Sequence, residues 1–140
     1  MFTQSLLPEE GILIISFEGN IDTDEVEYVA KVVFPKAIDS GLRLIFDLSK
    51  VIVTISISQA CNLIESSWNL MNENERKVDF VFIVDNSDYV FYRTLQNIWI
   101  NRGVYFVLFT DLEVGKRWFI KEVESTKVTD QQKPYRMRVI

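Results

Sequence analysis

The chain has 140 residues, 48% of them hydrophobic and 13% aromatic, and a formal net charge of -5 at pH 7. That size and composition fit one domain with its own core and exclude a disordered segment, while the acidic balance argues against a general nucleic-acid binder. Histidine is absent and Cys61 is the single cysteine, which removes Ser-His-Asp and Cys-His catalysis, most zinc geometries and any internal disulfide.

Phe2–Leu6 reads as a short first strand, turned by Leu7-Pro8-Glu9-Glu10-Gly11. The β-branched run Ile12–Phe17 is a buried strand, and Gly19-Asn20-Ile21-Asp22 ends it. Asp22 with Glu25 three residues on has the spacing of a capping box. The helix it opens carries Val26, Val29, Ala30, Val33, Ala37 and Ile38 on one face; Pro35 predicts a kink or break, and Gly41 closes it.

Leu42–Leu48 is the next strand, and Ser58–Asn72 the next helix, with Ala60, Ile64, Ser67 and Met71 inward. Cys61 lies in that helix beside Ala60 and Leu63 and reads as a buried structural thiol. Val78–Val84 is a further strand. Asp85-Asn86-Ser87-Asp88 turns and caps a helix bearing Phe91, Leu95, Ile98 and Trp99, aromatics whose spacing marks core. Val104–Phe109 is the last central strand, and Thr110-Asp111-Leu112-Glu113 opens a final helix to about Val123. Residues 124–133 read as a polar linker and Tyr135–Ile140 as an edge strand or a frayed tail, so 1–123 is the domain and 124–140 an appendage. Lys133, Arg136 and Arg138 make a small basic tail, read as solvated surface.

Strands alternating with helices predict an α/β fold, with a mostly parallel central sheet, about four helices and an N-terminal hairpin. No run approaches the roughly 18–20 apolar residues of a membrane span, and the start lacks the pattern of a signal peptide. A cytoplasmic location without a membrane partner is expected. No GxxxxGK[ST] or GxGxxG is present, and no cofactor or metal is expected.

Two aspartates and two serines carry the functional signal. Asp22 and Asp47 fall near the carboxyl ends of neighbouring predicted strands, the edge where open α/β sheets bind ligands and partners. Ser56 and Ser58 fall where a helix begins. A phosphate there would add roughly -1.5 to -2 charge at a surface whose helix dipole tolerates it. The other reading is an ordinary N-cap on Ser58, worth about 1 kcal/mol.

Gly19-Asn20-Ile21-Asp22 after a strand, and Asp47-Leu48-Ser49-Lys50-Val51 leading to Ser56-Ile57-Ser58, together resemble the STAS family, the sulfate-transporter and anti-sigma-factor-antagonist domains. That family shows G-x-L-D after an early strand, then D-L-S-x-V followed by D-S-[ST]-G at a helix start. Counting forward from Asp47, the motif aspartate falls on Ile55, its first serine on Ser56, the usual phosphoacceptor on Ile57 and the glycine on Ser58. The resemblance implies a non-enzymatic bacterial regulatory module that binds a protein such as an anti-sigma factor or kinase, with a homodimer as a further option. The partner surface would comprise Asp22, Ser49, Ser56, Ile57, Ser58 and Asn62, with Ser56 or Ser58 as the phosphorylation site, or with the switch lost. The chain is also similar to small SEC14-like domains. In that alternative the apolar segment Val51–Ile55 and the aromatics at Trp118-Phe119 would line a cleft for a small apolar ligand or lipid.

Overall fold

Extended, β-branched and aromatic segments build five strands, which a computed structural model describes together with their helices over residues 1–119. β1 (Phe2–Leu7) and β2 (Ile12–Asn20) form the antiparallel hairpin, closed where Glu10 N–H donates to the Leu7 carbonyl at 3.1 Å. β3 (Arg43–Ile52), β4 (Phe80–Ile83) and β5 (Phe106–Phe109) follow in parallel, giving the order β1-β2-β3-β4-β5. The expected α/β class, mostly parallel sheet and N-terminal hairpin are all present.

Because successive residues of a strand point to opposite faces, the apolar runs serve two cores at once. Leu13, Ile15, Phe17, Leu44, Phe46, Phe80 and Phe106 face a helical layer made of α1 (Thr23–Tyr28), α2 (Phe34–Asp39), α3 (Ile57–Asn69) and α5 (Tyr89–Ile100). Ile12, Ile14, Ile45, Val81, Ile83 and Val107 face the other way and are covered by Phe119, Trp118 and Leu112 of α6, a helix over 112–119.

Several boundaries differ from the sequence reading, each for a tertiary reason. β2 continues through Gly19 and Asn20. An irregularity between Ser16 and Glu18, with Gly19 at φ 75°, lets the strand resume pairing with β3. β3 runs on past Leu48 to Ile52 because Lys50, Val51 and Ile52 pair with Glu18, Gly19 and Asn20. Asp47 therefore lies within β3, opposite Ser16, and not at its carboxyl end.

The first long helix is interrupted before Pro35, not at it. A π-turn over Val29–Val33 separates α1 from α2, and Pro35 sits in the first turn of α2, where its missing N–H costs least. Asp22 caps α1 by accepting from Asp24 N–H at 2.9 Å, while the Glu25 carboxylate bonds the Met1 amine, so no capping box forms. At α6 the cap is Asp111, whose Oδ1 accepts from Glu113 N–H at 2.8 Å, while Glu113 pairs with Lys116.

The helix expected from Ser58 starts one turn position earlier, with Ser56 as N-cap, and ends at Asn69. Beyond it stands α4 (Glu73–Arg76), one turn held by a reciprocal Asn72–Glu75 capping box with both bonds at 2.9 Å. Sequence periodicity gave no sign of it. Cys61 is half-buried. The expected linker and tail over 124–140 lie outside the described residues.

Candidate functional site

Parallel β2, β3 and β4 deliver Asp22, the 53–56 loop and the 85–88 turn to one edge of the sheet. Asp22 is exposed and engaged as the cap of α1. Asp47 is half-buried and its Oδ1 accepts from the backbone N–H of Ser49 at 3.0 Å and from the Ser49 hydroxyl at 2.6 Å. Ser49 is thereby committed to shaping β3, not to solvent. Among the described residues no group of three or more His, Cys, Asp or Glu side chains could hold a metal. Both aspartates thus accept structural hydrogen bonds, Asp22 at the edge and Asp47 within β3.

Ser56, Ser58 and Asn62 are exposed at the start of α3. The Ser56 hydroxyl accepts from Gln59 N–H at 3.1 Å, and the Gln59 side chain returns a bond to Ser56 N–H at 2.9 Å. This is a complete capping box, which satisfies two of the helix's orphan donors. It also corrects the expectation that Ser58 is the cap. Ser58 occupies the second helical position with its side chain in solvent. Ile57 and Ile55 are both half-buried and pack on the core, and Ile55 also lines a cavity that opens to the surface.

At the neighbouring turn, Ser87 donates to the Asp85 carboxylate from its hydroxyl and, at 3.1 Å, from its backbone N–H. These bonds hold the Asp85 carboxyl below its usual range.

The cavity has a volume of about 190 Å³ and lies between α3 and the sheet. Its floor is aromatic: Phe17, Phe46, Phe80 and Phe106 from three parallel strands and the end of the hairpin. Ala60, Ile64, Trp68 and Met71 form the roof, and Val29, Phe34 and Leu95 the walls. Half-buried Ile21, Ile55 and Phe91 border it at the carboxyl edge. Burial, with a smaller contribution from the Asp88 carboxylate, pushes the Tyr92 hydroxyl on this wall up to about 12.

Of the segments that the small-ligand alternative singled out, Val51, Val53 and Ile55 line the cavity. Trp118 and Phe119 do not; they cover the opposite face of the sheet. Sequence reasoning missed Ile21, Phe91 and Tyr92 as cavity residues. An apolar helical stripe looks the same whether it packs solidly or roofs a gap. Gln96 was missed as well: it is fully buried, donating from Nε2 to the Phe106 carbonyl at 2.6 Å and accepting from Arg93 at 3.0 Å.

No family model and no curated protein matches the chain. Among solved structures, the crystal structure of an anti-sigma factor antagonist from Mycobacterium paratuberculosis aligns with a TM-score of 0.52 at 15% sequence identity. The alignment covers 82% of this chain and 91% of that one. The likeness establishes a STAS-like fold. No helix among the described residues is long and apolar enough to cross a membrane.

Proposed function

We propose that this STAS-fold chain is a non-catalytic, cytoplasmic regulatory module that binds a protein partner through the first turns of α3 and the adjoining sheet edge. The partner is of the anti-sigma factor or kinase type. The observation that carries this reading is the coincidence of an anti-sigma-antagonist fold with an exposed, rigidly capped helix start presenting Ser56, Ser58 and Asn62. Asp22, at the same edge, extends the contact surface. Ile57 contributes as the apolar support that fixes the turn, and Ser49 indirectly, through Asp47.

The same geometry favours Ser58 over Ser56 as the phosphoacceptor. Phosphate on Ser56 would compete with the bond its oxygen accepts from Gln59 N–H. Ser58 can take the charge without dismantling the cap, and the helix N-terminus accommodates an anion. The fold would survive and only a partner's acidic or dry apolar contact would be lost.

The experiment is co-elution of the purified chain with kinase-type anti-sigma factors, repeated with Ser58→Glu and Ser58→Ala. A stoichiometric complex retained by Ser58→Ala and weakened at least tenfold by Ser58→Glu is expected. Equal binding by both variants would remove the switch, and no complex with any such protein would remove the partner class.

A further inference from the structure

We propose that the cavity beneath α3 is a binding site for one small, uncharged, wholly apolar molecule, an alkane-like or aromatic hydrocarbon of about six to ten carbon atoms. This inference stands on the cavity alone and goes beyond the partner-binding reading. Its volume, about 190 Å³, exceeds the roughly 150 Å³ of an engineered cavity lined by Leu, Ile and Phe that stays dry and takes up benzene.

The lining decides the chemistry. Among the described residues no Lys, Arg, Asp or Glu borders the cavity. Its Ser67 hydroxyl is already spent on the Leu63 carbonyl at 2.9 Å. Tyr92 stays protonated, because burial and the Asp88 carboxylate both oppose its ionisation. A carboxylate, phosphate or ammonium placed inside would lose its water and find no opposite charge to offset that loss, whereas a hydrocarbon gives up nothing. The charged head of an amphiphile such as a fatty acid is therefore excluded from the interior.

The space is also built, not left over. Interiors ordinarily close to crystal-like density. Here, small side chains stand where the helices face the floor, at Ala30 and Ala60. The π-turn over Val29–Val33 sets Val29 and Ala30 on the wall, and such turns recur at functional sites. The floor is an aromatic frame braced by the Phe34 wall: Phe46–Phe80 at 6.3 Å and Phe82–Phe106 stacked at 4.6 Å, with Phe34–Phe80 at 5.4 Å. The roof is the adjustable part, since Ala60 is the single buried residue of α3. A molecule entering beneath α3 thus meets a fixed floor and a helix that can settle onto it.

Toluene is the probe of choice, titrated into the full chain and followed by methyl NMR and thermal unfolding. Saturable shifts are expected at the methyls of Ile21, Ile55, Ile64 and Leu95, with none at Ile12, Ile14 and Ile83 on the opposite face. The melting temperature should rise by about 3–7 °C at tenfold excess over the dissociation constant. Octanoate at equal concentration should give neither response. Ala60→Leu, or Ala30→Leu should the first fail to fold, fills the space and should abolish the toluene response. Shifts that do not saturate, shifts on both faces, an equal response to octanoate, or undiminished binding by a folded filled variant would each overturn the proposal. Partner binding enters none of these readouts, so failure here leaves the regulatory reading untouched.

Discussion

Beneath α6 the sheet is approached so closely that a Cβ on Gly115 would stand 2.7 Å from Ile83 Cδ1, whereas beneath α3 the same sheet leaves a cavity of about 190 Å³. Both faces are paved with Ile, Val and Phe, so hydrophobicity does not distinguish them. The covering element does. On the α6 side Phe119 is 2% exposed, and the Arg43 guanidinium lies 5.4 Å from the centre of its ring. On the α3 side the helix is held by its capping box, by flanking helices and by Ile57, Ala60, Cys61, Ile64 and Trp68 on the core, with the cavity left between. The close-packed face is the stable platform, and the loosely roofed face is where binding can be accommodated at low cost.

The largest effect that would test this contrast is a pair of truncations. Phe119→Ala should cost about 3–5 kcal/mol in urea unfolding, and Trp68→Ala less than about 2 kcal/mol, because half-buried Trp68 already borders a void. Equal losses would mean that α3 packs as tightly as α6. Enlargement should sort the faces the opposite way. Gly115→Val, which forces the contact with Ile83, should destabilise by about 1–3 kcal/mol, while Ala60→Val should stay within about 1 kcal/mol of the parent.

Alkaline pH gives a finer probe of the cavity wall. Tyr92 is raised from 10.0 to about 12, so the folded state keeps its proton where the unfolded chain releases it. Stability from this group is fully present below pH 10 and is lost as the pH rises through 12. Tyr92→Phe should flatten the urea midpoint across that window, leaving only the slopes of other groups. The smallest effect belongs to the edge: Ser56→Ala should cost about 1 kcal/mol and fray α3, visible as faster amide exchange at Ile57–Gln59, with α6 unchanged.

The hydrophobic pattern was most legible where one element sufficed to explain it. Ile12–Phe17 and Val78–Val84 marked strands because burial on both faces makes a short run apolar throughout. The Val29–Val33–Ala37 stripe marked a helix face because one-sided burial imposes a period of 3.6. The start of α3 was legible to within two residues. Ser56 and Ser58 both satisfy the chemistry of a cap, and only the reciprocal bonds with Gln59 choose between them. Asp47 was placed near a strand end because the apolar run stops at Leu48 and Ser49-Lys50 is polar enough to read as a link. Pairing of Lys50–Ile52 with the resumed half of β2 overrides that local preference. Gln96 was illegible for a related reason: a glutamine on an amphipathic helix reads as solvent-facing until a carbonyl such as that of Phe106 is brought against it.

By itself the sequence determined the alternation of strands and helices, the mostly parallel sheet that alternation requires, and the placing of two serines at a helix start. Tertiary structure alone decided that Ile55 lines a cavity, that Ile57 packs on the core, and that α3 roofs a space where α6 closes one. Periodicity is a property of neighbouring residues and can be read along the chain. A void is a shortfall of volume among Phe17, Phe46, Ala60 and Leu95, which meet only once the chain has folded.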